Sequence, residues 1–306
     1  SPAGMETWGR LHWLRFALNE LSMSSFGTNM KLRIAACQIL TFPSPDESAS
    51  KVIEWMERAA ADGVQAIAFP EACLCGYQCS PDYWDNADPK QFADAEKKVA
   101  EAARRLALDV VLGTVHWEAD GSLLNSLVVI SKEGKEIGRY AKTHLAENWP
   151  QPGRVLPIYE VGGVPSCFII CHDERYPELV RLPAALGARV CYYLSNESGL
   201  LSEKKLSAYR AMPIARATEN TIFVVMANAP ANPDDLHAPG QSHGNSKIIH
   251  PDGNVLVEAG HFEETLVTAT IEIDEATGAI AKRAINDDTI LANWMKAGLK
   301  LVSRPS

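Results

Sequence analysis

The chain predicts a layered α/β protein with strands inside and helices outside, and three observations carry that expectation. Short apolar runs such as KLRIAACQI (31–39), VVLGTVHW (110–117) and TIFVVMANA (221–229) alternate with longer segments whose apolar residues recur at helical spacing. Turn signals at Ala119-Asp120-Gly121, KEGK (132–135) and PDGN (251–254) join some strands directly, as hairpins do. No shift in composition and no short repeat divides the 306 residues.

The elements follow in order. KLRIAACQI reads as a buried strand, and Asp46 or Ser48 is placed to cap a helix whose apolar face is Val52, Trp55, Met56, Ala59 and Ala60, ending at Gly63. AIAFP (66–70) is the next strand, a helix is expected from Pro89 to Leu108, and VVLGTVHW, SLVVI (126–130) and EIGRYA (136–141) are further strands. Beyond a Pro/Gly-rich stretch (150–165) come CFIIC (167–171), a helix over 177–186, VCYYLS (190–195) and a helix over 203–219. TIFVVMANA, a hairpin over 246–259 and LVTATIEI (266–273) complete the strands. Ahead of them, WGRLHWLRFALNEL carries Trp8, Leu11, Leu14, Leu18 and Leu21 at helical spacing. That reads as an amphipathic helix in an extension over 1–30; two arginines and a glutamate interrupt the apolar stretch and argue against a signal peptide.

Composition narrows the function. With 46% hydrophobic and 22% charged residues, the chain is neither disordered nor a disulfide-stapled scaffold. A net charge of −9, from 29 basic and 38 acidic residues, argues against a nucleic-acid partner. No apolar run approaches the roughly 18 residues that span a bilayer, so no membrane partner is expected. Seven cysteines, an odd number without even spacing, read as reduced thiols of a cytoplasmic protein.

Three expected strand ends finish in reactive residues: Glu71, Lys142 and Cys171. Active sites of open α/β sheets gather beyond the carboxyl ends of strands. A lone cysteine is ordinarily a packing residue, but Cys171 is followed by His172, Asp173, Glu174 and Arg175, a run unsuited to a buried strand. A thiol needs a base, and a neighbouring cation favours the thiolate; Glu71 and Lys142 could supply both. Cys73, Cys75 and Cys79 invite a zinc reading, but the spacing is not the paired C-x2-C and no fourth ligand lies nearby, so no metal is expected and pocket-lining thiols are. A Cys171–His172 pair is disfavoured because neighbours on an extended strand point opposite ways.

FPEACLCGY (69–77), RYAKTHL (139–145) and CFIICHDERYPE (167–178) resemble the three signature blocks of the nitrilase superfamily of carbon–nitrogen hydrolases. HGNSKIIHPDGNVLVEAG (243–260) resembles its downstream segment, and the likeness covers 31–275. The resemblance implies a four-layer αββα sandwich over that range; beyond it, the apolar residues of ILANWMKAGLKLV make 276–306 a docking or oligomerisation tail. It implies Glu71 as general base, Lys142 as the triad lysine and Cys171 as nucleophile, with no metal or organic cofactor. Lys142 and the backbone N–H of His172 would hold the oxyanion. Glu147 matches the family's second glutamate, although the stretch from Lys142 to Gly153 is shorter than the family often shows.

Substrate identity is open at this level. His172-Asp173 stands where nitrile-cleaving members usually carry Trp-Glu, which favours amide or N-carbamoyl substrates. Arg175 either grips a substrate carboxylate, as carbamoyl-amino-acid hydrolases of the family do, or pairs with Glu174, Glu178 or another carboxylate. Glu197 either binds an ammonium group or partners Arg175. Tyr77, Trp149 and Tyr193 are candidate pocket aromatics. Acyl transfer by the same triad and a catalytically silent binding protein are the alternative classes. By analogy with the family, a homodimer or larger homo-oligomer is expected, with 177–186, 203–219 and 285–306 as contact segments.

Overall fold

The structure, a computed structural model, describes residues 30–197, 206–234 and 242–304. The expected N-terminal helix and the start of the 203–219 helix lie outside the described residues. The strands are β1 (Lys31–Gln38), β2 (Ala66–Ala68), β3 (Asp109–Trp117), β4 (Leu123–Ile130), β5 (Glu136–Ala141), β6 (Leu156–Pro157), β7 (Tyr159–Val161), β8 (Val164–Ile170), β9 (Val190–Ser195), β10 (Phe223–Asn228), β11 (Lys247–Ile249), β12 (Val255–Glu258), β13 (Thr265–Glu272) and β14 (Val302–Ser303). The helices are α1 (Pro45–Ala61), α2 (Pro81–Asn86), α3 (Pro89–Leu106), α4 (Glu178–Ala185), α5 (Leu206–Thr218), α6 (Ala279–Asn286) and α7 (Ala292–Leu299).

Among the described residues, one six-stranded sheet has the order β13-β1-β2-β3-β4-β5 and a second the order β12-β11-β10-β9-β8-β7. Alternation along β1 explains the layering. Ala35 and Cys37 face a core shared with Val52 and Met56 of α1 and Val99 of α3, while Ile34 and Ala36 face the second sheet. That central core joins Val111 and Val129 to Tyr192, Leu194 and Val224, and continues to Val180 and Leu182 of α4 and Ala217 of α5. The result is the expected αββα sandwich, with apolar side chains removed from water on both faces of each sheet.

Local chemistry moves several boundaries. Helix α1 begins earlier than a cap at Asp46 or at Ser48 would set it: Ser44 caps it, accepting from the Glu47 N–H at 3.4 Å, and Pro45 occupies the first turn. Ser48 instead latches the incoming chain, donating to the Phe42 carbonyl at 3.0 Å and accepting from its N–H at 3.1 Å. Helix α3 stops at Leu106, because Ala107 adopts a left-handed φ of 51°. The Pro/Gly-rich stretch, to which the sequence assigns no element, contains β6 and β7; β7 pairs with β8 over three residues, a match too short for periodicity to reveal. Strand β8 ends at Ile170, not at Cys171.

The described part of the tail, 276–304, packs on its own chain. Helix α6 packs against α4, α7 packs against both, and Ala281, Ala292 and Met295 are buried. Ile280, Leu291 and Trp294 remain exposed along an apolar groove of about 560 Å³ that Leu182 of α4 also lines.

Strand directions place the chemistry at one edge. Strands β1, β2 and β3 run parallel; β5 joins that direction through two antiparallel steps across β4. In the second sheet β8, β9 and β10 are parallel. The Glu71 N–H donates to the Ser195 carbonyl at 3.3 Å, so the carboxyl end of β2 meets that of β9 between the sheets. Among the described residues, no helix is long and apolar enough to cross a membrane.

Candidate active site

Glu71 leaves β2 through Phe69-Pro70, and the strand beside it must be thin there. A Cβ at Gly113 of β3 would stand 1.9 Å from the Pro70 carbonyl oxygen, so only glycine allows the turn to press onto β3. Ala72, with φ of 49°, then reverses the chain. The buried Glu71 carboxylate accepts from Asn125 Nδ2 at 2.8 Å, Lys142 Nζ at 2.7 Å and the Asn196 N–H at 2.9 Å.

Lys142 follows β5 and is held by backbone bonds on both sides: its N–H donates to the Asn125 carbonyl, and its carbonyl accepts from Gly153, each at 2.8 Å. Its Nζ also reaches Glu147 Oε1 at 2.6 Å, and Tyr77 donates its hydroxyl to that same oxygen at 2.7 Å. The structure thus brings together four of the residues singled out in the sequence: Glu71, Lys142, Glu147 and Tyr77. The short link from Lys142 to Gly153 accommodates Glu147 within five residues of the lysine it contacts.

Cys171 opens a turn of 3-10 helix, Cys171–Arg175, with φ of 46°. A non-glycine residue in that region marks a constrained strand-to-helix turn. Asp173 fixes it. One carboxylate oxygen accepts from the Tyr140 hydroxyl at 2.7 Å and the Ile170 N–H at 3.1 Å; the other accepts from the N–H groups of Thr143 at 3.1 Å and His144 at 2.8 Å. This carboxylate ties the chain just after Lys142 to the turn that carries Cys171. In the sequence Asp173 stands out in a polar run and in the His172-Asp173 pair, but not as an anchor, a role that depends on residues about thirty positions away.

The charges of this group follow from burial. Burial pushes the Glu71 carboxyl up to about 7, with Lys142 opposing. Burial pulls Lys142 down, but Cys171, Glu71 and Glu147 together raise it well above its ordinary value, so it stays cationic. Glu147 ends lowered: burial opposes ionisation, and Lys142 outweighs it. The Cys171 thiol is raised by burial and then by Glu71, and at rest it holds its proton.

The remaining expected residues spread around this centre. The His172 ring packs edge-on to Tyr176 at 5.7 Å, so the extended-strand argument against a Cys171–His172 pair is replaced by the turn geometry. Arg175 is exposed, its guanidinium 5.9 Å from the Tyr209 ring. Glu197 is buried and partners His243 and Tyr193 rather than Arg175: His243 Nε2 lies 2.7 Å from one oxygen and the Tyr193 hydroxyl donates to the other. His243 opens the HGNS segment but was not singled out in the sequence. Trp149 stacks on Trp84 at 4.3 Å and lines an outer cleft that none of Glu71, Lys142 and Cys171 borders. Cys73 and Cys75 are buried in the core under α1 rather than lining a pocket, with Cys75 Sγ donating to the Ala72 carbonyl at 3.3 Å, and Cys79 is exposed. Among the described residues, no group of three or more His, Cys, Asp or Glu is arranged to hold a metal ion.

A four-layer sandwich with this cluster at its strand ends defines a class, and the comparisons agree with it. Residues 33–281 match the carbon–nitrogen hydrolase family model, and the chain belongs to that family, the nitrilase superfamily its motifs resemble. It is a hydrolase of carbon–nitrogen bonds other than peptide bonds. A 2-oxoglutaramate amidase of Bacillus subtilis (strain 168) is 30% identical over 271 residues, covering 85% of this chain and 98% of that protein. An omega-amidase of Xenopus tropicalis is 25% identical over 259 residues, covering 80% and 90%. Among solved structures, an amidase from Nesterenkonia sp. has a TM-score of 0.71 at 24% identity, covering 82% of this chain and 95% of that one. A carbon–nitrogen hydrolase from Helicobacter pylori G27 has a TM-score of 0.75 at 18% identity, covering 87% and 98%.

Proposed function

We propose that the chain hydrolyses primary amides of small molecules through a thioester on Cys171, releasing ammonia and then a carboxylic acid. Glu71 takes the thiol proton as the sulfur attacks the amide carbon. Lys142 Nζ and the His172 N–H hold the oxygen as it gains charge. The carbon–nitrogen bond breaks, and Glu71 passes its proton to the departing nitrogen as ammonia. Water then yields a proton to Glu71 while its oxygen bonds to the thioester carbon; the carbon–sulfur bond breaks and the thiol recovers its proton. Glu147, fixed by Tyr77, holds Lys142 in place.

One observation carries this reading. Glu71 is buried against Lys142 with three directed hydrogen bonds, and its acidity of about 7 suits a group that both accepts and donates a proton near neutrality. The amidase names of the relatives favour amides over N-carbamoyl compounds and nitriles. The test is ammonia release from a panel of small amides, carbamoyl amino acids and nitriles, with the wild type and Cys171→Ala. Turnover of amides that disappears in Cys171→Ala is expected; faster turnover of nitriles, or turnover retained in the variant, overturns the reading.

The seven unpaired cysteines support a reducing compartment such as the cytoplasm, which fractionation of the source cells would check. The exposed apolar residues of α6 and α7 support association of copies into a homo-oligomer, and a monomer in sedimentation would refute it.

A further inference from the structure

We propose that Glu174, Glu197 and His243 form a buried subsite for a protonated amine, so that the preferred substrates are short aliphatic amides carrying an ammonium group. This rests on the amide-hydrolase reading and names the substrate class for it.

The location comes first. Glu174 stands on the same 3-10 turn as Cys171, three residues on, which at a rise of about 2 Å per residue places it roughly 6 Å along the axis. Glu197 directly follows Asn196, whose N–H holds Glu71. The wall is therefore flanked by the nucleophile and the base.

The second observation is unmet hydrogen bonding. Glu174 is 1% exposed and its carboxyl lies against Glu197 and Tyr193, but among the described residues neither oxygen has a partner at hydrogen-bond geometry. Glu197 has both oxygens engaged, by Tyr193 and His243, and its N–H donates to Asn228 Oδ1 at 3.1 Å. His243 Nδ1, on the far side of the ring from Glu197, is buried and has no hydrogen-bond partner among the described residues. Leaving buried polar atoms unpaired is destabilising, and a bound polar group can complete such a network.

Charge points to the same ligand. Arg175 lies over the Tyr209 ring, which in turn stacks on His243. Arg216 spends its Nε and one terminal nitrogen on the Glu174 backbone carbonyl and the other on Glu219. No cation among the described residues therefore forms an ion pair with the Glu174 carboxyl. Burial and then the Glu197 charge raise that carboxyl to about 10, with Tyr193 and Arg175 opposing. An ammonium group supplies what is missing: three N–H donors and one positive charge. Its arrival favours the Glu174 carboxylate, so binding displaces a proton. A substrate carboxylate would instead face Glu197, and a methyl group would leave the acceptors unmet.

The test compares γ-aminobutyramide with valeramide, in which a methyl replaces the ammonium, and with glutaramate, which carries a carboxylate there. The wild type is expected to favour γ-aminobutyramide over valeramide in kcat/KM by about thirtyfold or more, and Glu174→Gln to collapse that ratio towards one. Calorimetry of Cys171→Ala in buffers of different ionisation enthalpy should show a proton released with γ-aminobutyramide and none with valeramide. Equal use of the two amides, a preference for glutaramate, an unchanged ratio in Glu174→Gln or absence of proton release overturns the subsite. Turnover of all three amides without preference would refute the subsite and leave the hydrolase reading standing. Ammonium-dependent proton release in Cys171→Ala, with no turnover of any amide by the wild type, would do the reverse.

Discussion

Glu71 and Glu174 are both buried carboxyl groups close to Cys171, but their surroundings differ in kind. Glu71 receives hydrogen bonds from Lys142, Asn125 and the Asn196 backbone, whereas Glu174 lies against Glu197 and Tyr193 and, among the described residues, neither of its oxygens has a partner at hydrogen-bond geometry. Burial raises both, yet Lys142 restrains Glu71 near 7, while Glu197 helps push Glu174 to about 10. A buried carboxyl can be made into a working base by a cation and directed donors, or left neutral and unsatisfied where no cation comes. The first arrangement is complete in the protein itself; the second is complete only with a ligand.

The largest test of the complete side is Cys171→Ala, which should lower amide hydrolysis by at least about 10⁴-fold while the far-ultraviolet circular dichroism stays unchanged. Glu71→Gln keeps a similar shape but cannot accept the thiol proton, and a fall in kcat of about 10²–10⁴-fold is expected. The same carboxyl sets the pH response. Glu71 must be ionised to take the proton, so kcat/KM should climb as pH rises through about 7 and level off above it. A profile flat from pH 5 to pH 8 (roughly, a window bracketing the usual general-base range) would remove Glu71 from that role.

Lys142→Met sharpens the comparison by making the complete side resemble the incomplete one. Glu71 and Glu147 would be left buried without their cation, which should cost about 3–5 kcal/mol of stability, read as a lowered denaturation midpoint. Asp173→Ala should cost less, about 1–3 kcal/mol, because the donors of Tyr140, Ile170, Thr143 and His144 lose their acceptor; activity should fall with it as the Cys171 turn loosens. The smallest effect is expected at Arg175→Ala. An exposed guanidinium over Tyr209 contributes about 0.5–1 kcal/mol, so stability should barely move. A large loss of turnover confined to carboxylate-bearing amides would show that Arg175 binds substrate.

Most of the architecture was legible because it depends on period and punctuation. Strand β1, helix α3 and the β3–β4 hairpin lie within a few residues of where apolar spacing and turn residues put them. Strands β6 and β7 were not legible, since two or three residues carry no period and are defined by the strand that pairs with them. Cys171 was expected at the end of a strand and instead opens a turn, a distinction set by one backbone angle that residue type does not announce. At the site, Glu71, Lys142 and Cys171 stood out through their motifs, and Glu147 through its place after Lys142. Asn125, Asp173 and His243 did not, because each matters through a partner distant in the chain.

By itself, the sequence determined the layered α/β class and the family, and it singled out the three residues we propose as reactive, since local patterns of apolar spacing and motif chemistry specify them. Only the tertiary structure decided which carboxyl groups are neutralised. Ion pairing and desolvation depend on what the folded chain places within a few ångströms, and Lys142 reaches Glu71 across 71 positions of sequence while no cation pairs with Glu174 among the described residues.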